Sequence, residues 1–216
     1  MFYDFLKRTI DILGSIFVLI LFFPIMVIVA LVIKLISPGP VLYSPKRVGK
    51  NGKLFTMLKF RSMYMYKING KWVHAEKYLE TNRKLMAAYK KGSYKLKKDP
   101  RITFLGKFLR KFSLDEVPQL INVLNGEMSL VGPRAYQFEE LIHQQKVYPH
   151  TSKYVKIILS GRPGVTGPWQ VSGRSFINFD KRVVMDAAYV KRRSILYDIW
   201  IIIKTPIAMI SGIGAV

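Results

Sequence analysis

Two carboxylates, Asp115 and Glu116, stand side by side directly after a strongly cationic part of the chain. Residues 41–112 contain 20 Lys or Arg residues and only three acids. Cations and a divalent metal ion can screen the repulsion that otherwise keeps a carboxylate away from a phosphate group. The acidic pair is therefore the first candidate for a site of phosphoryl transfer.

A helix cap is the structural alternative for the same residues. Ser113 and Glu116 have the spacing of a capping box, a pattern that by itself marks a helix start more often than a catalytic site. With Ser113 as the cap, however, Pro118 would fall inside the helix, where its ring clashes with a preceding carbonyl group. A helix from Pro118 to Leu124 would instead leave both acids just before its N-terminus, beside backbone N–H groups that bind phosphate well. The residues alone leave both interpretations open.

The composition limits the class of protein. The chain has 216 residues, half of them hydrophobic, and a formal net charge of +22, which fits one domain with a polyanionic partner: nucleic acid, an anionic lipid surface or a phosphorylated substrate. The absence of cysteine excludes disulfides and thiolate metal sites. The three histidines are His74, His143 and His150, too widely separated to predict a histidine metal site.

A membrane segment is predicted near the N-terminus. Residues 12–33 carry no charge over 22 positions, and about 20 apolar residues suffice to cross a bilayer as a helix. Pro24 lies in the middle of this run, and Lys and Arg flank it on both sides. Basic flanks favour the cytoplasmic side, so the segment could enter the membrane, turn near Phe22–Pro24 and return. A kinked helix that crosses the bilayer is the alternative.

The remaining patterns predict an α+β fold that is mostly helical, with short β-hairpins and interfacial amphipathic helices. Asn51-Gly52 between two short extended runs indicates a hairpin. Residues 74–91 are predicted to be helical, and the Lys-rich stretch that follows is predicted to be a loop. The Gly- and Pro-rich residues 160–174 indicate tight turns around a short strand. The apolar residues 194–216 predict a helix that lies in the membrane interface or packs on the domain.

Six sequence blocks run in order along almost the whole chain: SPGPVLY, RVGKNGKLF, KFRSM, KLKKDPRITFLGKFLRKFSLDEVPQLINVLNGEMSLVGPR, GRPGVTGPWQVSGRS and DAAYVKRRSILYDIWIIIKT. Together they resemble the bacterial sugar transferases, the monotopic polyprenyl-phosphate hexose-1-phosphate transferases, and most closely those that carry galactose or glucose phosphate. The resemblance implies a re-entrant membrane helix within residues 1–40 and a catalytic domain in residues 41–216. It places that domain on the cytoplasmic face of the bacterial inner membrane, in contact with anionic lipids.

The resemblance also implies a reaction. A hexose-1-phosphate passes from a UDP-sugar to undecaprenyl phosphate with release of UMP, as the first membrane step in the synthesis of capsule, O-antigen or exopolysaccharide, and Mg2+ is required. Asp115 would attack the sugar-linked phosphate and form a covalent phosphosugar-aspartyl intermediate. Glu116 would assist through the metal or a proton, with both acids as metal ligands. The family positions around the phosphates correspond to Lys59, Arg61, Arg110, Arg134 and Arg174.

Three residues depart from the family pattern: Ala135 replaces a common proline after VGPR, Pro45 replaces a frequent glutamine, and Phe23 stands where serine often precedes the helix-breaking proline. Two rival classes remain, a membrane-tethered nucleic-acid-binding protein and a scaffold for anionic lipids. Neither gives the acidic pair a task, and no nucleic-acid-binding motif is recognisable, so a nucleic-acid partner is not expected. The hexose and the oligomeric state, including a homo-oligomer, stay open.

Overall fold

The computed structural model describes residues 2–91, 96, 99–173 and 176–211. The predicted class, mostly helical with short strand pairs, is confirmed. The described residues form ten α-helices: α1 (Phe2–Ile36), α2 (Ala75–Thr81), α3 (Arg83–Lys91), α4 (Phe104–Lys111), α5 (Gln119–Leu124), α6 (Phe138–Val147), α7 (Ser152–Ile158), α8 (Pro168–Ser172), α9 (Phe179–Arg192) and α10 (Ile195–Ile210).

The strands are short and join in pairs rather than in one large sheet. They are β1 (Leu42–Tyr43), β2 (Lys46–Val48), β3 (Leu54–Thr56), β4 (Lys59–Phe60), β5 (Met65–Ile68), β6 (Lys71–His74), β7 (Ser129–Val131) and β8 (Gly164–Thr166). β1 pairs with β4, β2 with β3 and β5 with β6, all antiparallel, whereas β7 and β8 are parallel. The predicted hairpin is confirmed as β2–β3, and Asn51 and Gly52 take the positive φ angles of 57° and 77° that a tight turn requires.

The N-terminal helix α1 extends without interruption through Pro24. Its 35 residues correspond to a length of about 50 Å, and it is the only helix among the described residues that is long and apolar enough to cross a membrane. Many of its central side chains are exposed, such as Ile20 and Leu31. The predicted turn near Phe22–Pro24 therefore does not break the helix, and how α1 enters a membrane stays a prediction.

The first turns of α1 are attached to the rest of the chain by polar contacts. The Arg8 guanidinium donates hydrogen bonds to the carbonyl oxygens of Val123 (2.6 Å) and Leu124 (2.9 Å) at the end of α5. Asp11 accepts a 2.7 Å hydrogen bond from the Ser129 hydroxyl on β7. Charged hydrogen bonds of this kind are the stronger ones in proteins, so the start of α1 is fixed to the elements that follow the acidic pair.

The last turns of α1 are attached by apolar contacts instead. Val29 and Ile33 are buried in a cluster with Phe60 of β4 and Leu109 of α4. Both ends of the helix thus pack on the same folded body, while much of its middle presents apolar side chains to the outside.

The other helix predictions are confirmed with corrections. The predicted helix over 74–91 is two helices, α2 and α3, separated at Asn82, whose side chain accepts a 3.0 Å hydrogen bond from the Leu85 N–H. Most of the predicted Lys-rich loop lies outside the described residues. The C-terminal helix α10 buries Asp198 and Ile201 and exposes apolar side chains on its other side, as an interfacial or packed helix would.

The largest apolar core lies between α6, α7 and α9. Its buried members come from several helices and from the segment after β7: Tyr136, Leu141, Val155, Ile158, Phe179, Val183 and Ala187. Helix α9 is therefore held rigidly, and its side chains at positions 182 and 186 point into the interior.

Candidate active site

The acidic pair lies in a single turn of 3₁₀ helix, Leu114–Glu116, immediately before α5. Ser113 adopts a left-handed conformation with φ of 53°, and its side chain makes no capping hydrogen bond to this turn. The capping-box interpretation is therefore wrong. The prediction of a helix from about Pro118 is confirmed. This helix buries Gln119 and Asn122 and exposes Ile121.

Glu116 forms an ion pair with Lys59 of β4, with 2.6 Å between Oε1 and Nζ. Both side chains are partly exposed, 28% for Glu116 and 21% for Lys59, so a substrate can reach the pair from solvent. A single surface ion pair contributes little to stability. Its value here lies in placing a cation beside the two carboxylates.

Asn122 on α5 explains how Lys59 comes to lie beside the pair. Its side-chain oxygen accepts a 2.9 Å hydrogen bond from the Leu58 N–H, and its side-chain nitrogen donates a 2.8 Å bond to the Thr56 carbonyl. The helix that follows the acidic pair thus holds the backbone immediately before Lys59. Sequence reasoning missed Asn122, although a polar residue inside a short apolar helix was a usable signal.

Asp115 is buried, with 6% of its surface exposed. Burial raises the pKa of its carboxyl group and the neighbouring charge of Glu116 raises it further, while the positive charges of Lys59 and Arg110 oppose the shift. Arg110 is oriented by a 3.0 Å hydrogen bond from its Nε to the Ser62 hydroxyl. Four predicted residues, Asp115, Glu116, Lys59 and Arg110, therefore come together, and we call them the acidic-pair cluster.

The acidic-pair cluster fits a weakly held Mg2+ better than a closed metal cage. Among the described residues, no group of three or more acidic, His or Cys side chains is placed to hold a metal ion. Mg2+ commonly binds to one or two carboxylates together with substrate phosphates and water. Asp115 and Glu116 can supply those carboxylates, although one oxygen of Glu116 is already engaged by Lys59.

Arg61 lies elsewhere, at the exit from α1. It is buried, with 2% of its surface exposed. Its guanidinium donates hydrogen bonds to the carbonyl oxygens of Ser37, at 2.8 Å, and of Pro38. These contacts tie the segment after α1 to the strand that carries Lys59. The assignment of Arg61 to substrate binding stays a prediction.

Arg134 belongs to a second cluster of charges. Its guanidinium carbon lies 5.0 Å from the centre of the Trp169 ring, and its backbone N–H donates a 2.9 Å hydrogen bond to Asp186. Burial lowers the pKa of Arg134, and the positive charge of Arg182 adds to that effect. The predicted role of Arg134 at the substrate stays a prediction, and Arg174 lies outside the described residues.

Sequence reasoning missed the partners of Arg134. Trp169 and Arg182 are almost completely buried, as are Glu140 and Asp186. The available signal was the spacing of two charged residues, Arg182 and Asp186, four positions apart, which places them on one side of a helix if the segment is helical.

The sequence that forms these two groups of charges matches a known protein family. A sequence profile described as bacterial sugar transferase matches residues 2–212. The chain belongs to the bacterial sugar transferase family. The match includes the acidic-pair cluster and both members of the Arg134–Trp169 contact.

Individual members of the sugar transferase family are similar over most of this chain. An undecaprenyl-phosphate galactose phosphotransferase of Salmonella typhimurium is 44% identical over 211 residues, which are 98% of this chain and 42% of that protein. The exopolysaccharide production protein ExoY of Sinorhizobium fredii is 40% identical over 201 residues, 92% of this chain and 83% of that protein. A UDP-glucose:undecaprenyl-phosphate glucose-1-phosphate transferase of Xanthomonas campestris pv. campestris is 36% identical over 194 residues, which are 87% of this chain and 35% of that protein.

The chain thus spans less than half the length of two of these sugar transferases and most of the length of the third.

Proposed function

We propose that this protein transfers a hexose-1-phosphate from a UDP-sugar to undecaprenyl phosphate at the membrane surface. The observation that carries the proposal is the acidic-pair cluster, in which a buried carboxylate lies next to a carboxylate–ammonium pair and an arginine. Membership of the sugar transferase family supports the reaction class. The names of relatives from Salmonella and Xanthomonas support a sugar donor and an undecaprenyl-phosphate acceptor.

In the first step, an oxygen of the Asp115 carboxylate forms a bond to the phosphorus that carries the sugar. The bond between that phosphorus and the bridging oxygen breaks, and UMP leaves with the electron pair. Lys59 and Arg110 hold positive charge next to Asp115, which reduces the repulsion between the carboxylate and the diphosphate. A covalent phosphosugar-aspartyl intermediate splits one difficult displacement into two easier ones.

In the second step, a phosphate oxygen of undecaprenyl phosphate attacks the same phosphorus, and Asp115 leaves as a free carboxylate. Asp115 and Glu116 would hold Mg2+, which supplies charge neutralisation on the phosphates when bound. Glu116 is the only one of the two acids with a direct ion pair to Lys59, so among the described residues the pair divides into a buried nucleophile and a more exposed assistant.

We also propose that α1 is a re-entrant helix on the cytoplasmic side of the bacterial inner membrane, and its contacts support the placement of both ends on one side. A helix that crosses a bilayer places its two ends on opposite faces, whereas Arg8 and Ile33 both pack on one folded body. The chain has no cysteine, so single cysteines report cleanly. Phe5→Cys and Leu35→Cys are exposed positions near the two ends, and both should react with an impermeant thiol reagent only from the cytoplasmic side. Labelling of the two from opposite sides would establish a crossing helix.

UMP release from a panel of UDP-sugars tests the proposed reaction. We expect purified protein in detergent or vesicles to release UMP with at least one donor, in a reaction that requires Mg2+ and Asp115 and continues only when undecaprenyl phosphate is added. The Glu139→Gln variant, which alters an exposed acid on α6, is the matched control for Asp115→Asn. No release with any donor would refute the proposed function.

A further inference from the structure

Two arginines and an indole outside the acidic-pair cluster have more positive charge and more unmet hydrogen-bonding capacity than their packing explains. The guanidinium carbons of Arg134 and Arg182 lie 5.0 and 5.4 Å from the centre of the same Trp169 ring. We call these three residues the arginine–tryptophan cluster. Arg182 is only 4% exposed and Trp169 only 6%.

The charges in and around this cluster are imperfectly balanced. Arg182 makes a long ion pair of 3.4 Å with Glu140 and donates a 3.2 Å hydrogen bond to the Tyr136 hydroxyl. The carboxylate of Asp186 receives the backbone N–H of Arg134 rather than its guanidinium. Two guanidinium groups on one ring repel each other strongly in a poorly solvated place, and Arg47 adds a third positive charge nearby.

Several buried polar atoms in this region have no hydrogen-bond partner within the described part of the chain. They are Arg134 Nε, Trp169 Nε1, Gln170 Oε1 and Asp186 Oδ1. Buried polar atoms are almost always paired, so a concentration of unpaired ones calls for an explanation such as a ligand or an ordered water. Two of the four, on Arg134 and Trp169, are N–H donors, which suit an anion.

The cluster reaches the protein surface on one side. Arg134, Arg47 and Gln170 are partly exposed, whereas Arg182 and Asp186 close the inner side. A planar guanidinium held on an aromatic ring keeps its N–H groups in fixed directions, and arginine is well suited to binding phosphate through paired N–H groups.

We propose that the arginine–tryptophan cluster is an anion subsite that binds a phosphate group of a substrate, with Arg182 and Trp169 as binding residues in addition to Arg134. The subsite shares no residue with the acidic-pair cluster, in which the bond would be made and broken. This proposal rests on the proposed function, because that function supplies two phosphate-bearing substrates. The phosphate belongs either to the nucleotide donor or to the polyprenyl acceptor.

Trp169 offers a direct measurement, because it is one of only three tryptophans and the other two, Trp72 and Trp200, are about half exposed. In the Trp72→Phe/Trp200→Phe protein, Trp169 is the only indole. We expect its fluorescence to change saturably on titration with UMP or with geranylgeranyl phosphate. A response to UMP assigns the subsite to the donor, and a response to the prenyl phosphate assigns it to the acceptor.

The Arg182→Lys variant in the same background keeps the positive charge but loses the planar, stacked guanidinium. We expect it to weaken the binding seen by Trp169 roughly 10- to 100-fold and to raise the KM of the corresponding substrate more than it lowers kcat. Arg192→Lys, an exposed position on the same helix, should change neither. If the Arg182 variant fails to fold, the titration of the intact cluster still decides the question.

A preparation that releases UMP from a donor but gives no saturable change at Trp169 with either phosphate compound would overturn the subsite and leave the proposed function intact. A preparation that binds one of the compounds at Trp169 but releases no UMP would support the subsite and refute the proposed function.

Discussion

The acidic-pair cluster and the arginine–tryptophan cluster use similar residue types in opposite proportions. The first brings two carboxylates together with Lys59 and Arg110, and in it Glu116 and Lys59 are partly open to solvent while Asp115 is buried. The second brings arginines together on an aromatic ring, with their counter-charges at long or indirect contacts. The first arrangement is suited to attack on a phosphorus atom, and the second is suited to holding an anion still. Charged side chains of similar type are thus suited to different tasks, because their neighbours and their burial differ.

The sharpest test of this comparison within the acidic-pair cluster concerns the Lys59–Glu116 ion pair. We expect Lys59→Met and Glu116→Gln each to lower kcat/KM for UMP release roughly 10- to 100-fold. The double variant should lose little more than the worse single variant, because the two side chains act through one 2.6 Å contact. Rates of UMP release are measured under first-order conditions for the unsubstituted protein, the two single variants and the double variant. Together they give the coupling between the two side chains.

The control pair for that cycle is Lys53→Met and Glu139→Gln, two exposed residues outside the cluster. Losses that multiply in the Lys59–Glu116 double variant would contradict the idea that the pair works as a unit.

A smaller effect is expected on stability near the arginine–tryptophan cluster. Burial raises the pKa of Asp186 from 3.8 to about 7, opposed by the Arg134 N–H and by the charges of Arg182 and Arg134. Because the folded-state pKa is the higher one, the stabilising contribution is fully present below about pH 4 and is lost as the pH rises through about 7. Asp186→Asn removes this titration but keeps an acceptor for the Arg134 N–H.

Thermal unfolding at pH 5 and pH 8 measures the effect. We expect the Tm of Asp186→Asn, relative to that of the unsubstituted protein, to be a few degrees higher at pH 8 than at pH 5. Asp180→Asn on the same helix controls for the loss of one carboxylate. A Tm difference that is the same at both pH values would show that folding does not raise the pKa of Asp186.

The contrast between the clusters also explains how much the sequence could predict. Asp115 and Glu116 are adjacent in the chain, and Lys59 lies in a recognisable block, so the acidic-pair cluster follows from motifs. The long apolar helix α1, the hairpin at Asn51-Gly52 and the helix after Pro118 follow from local periodicity and turn chemistry. The boundary between α2 and α3 and the buried face of α5 depend on tertiary packing, which local patterns do not contain.

The arginine–tryptophan cluster could not be predicted in the same way. Its members come from positions 134, 169 and 182, and the packing of α9 against α8 brings Arg182 to the Trp169 ring. Burial of an arginine is rare, and the spacing of Arg182 and Asp186 alone does not show that this arginine is buried. Arg61 also shows that sequence proximity does not fix a side chain's contacts. It shares a sequence block with Lys59, but its hydrogen bonds go to the segment that follows α1.

The central claim is that Asp115 is the nucleophile, and trapping the intermediate tests it most directly. Protein incubated with its UDP-sugar donor and Mg2+, without a polyprenyl phosphate, should gain the mass of one hexose phosphate. Peptide mass spectrometry should place that mass on Asp115, and the Asp115→Asn protein should gain none. An adduct on Glu116, or turnover to product with no adduct on any residue, would contradict the account.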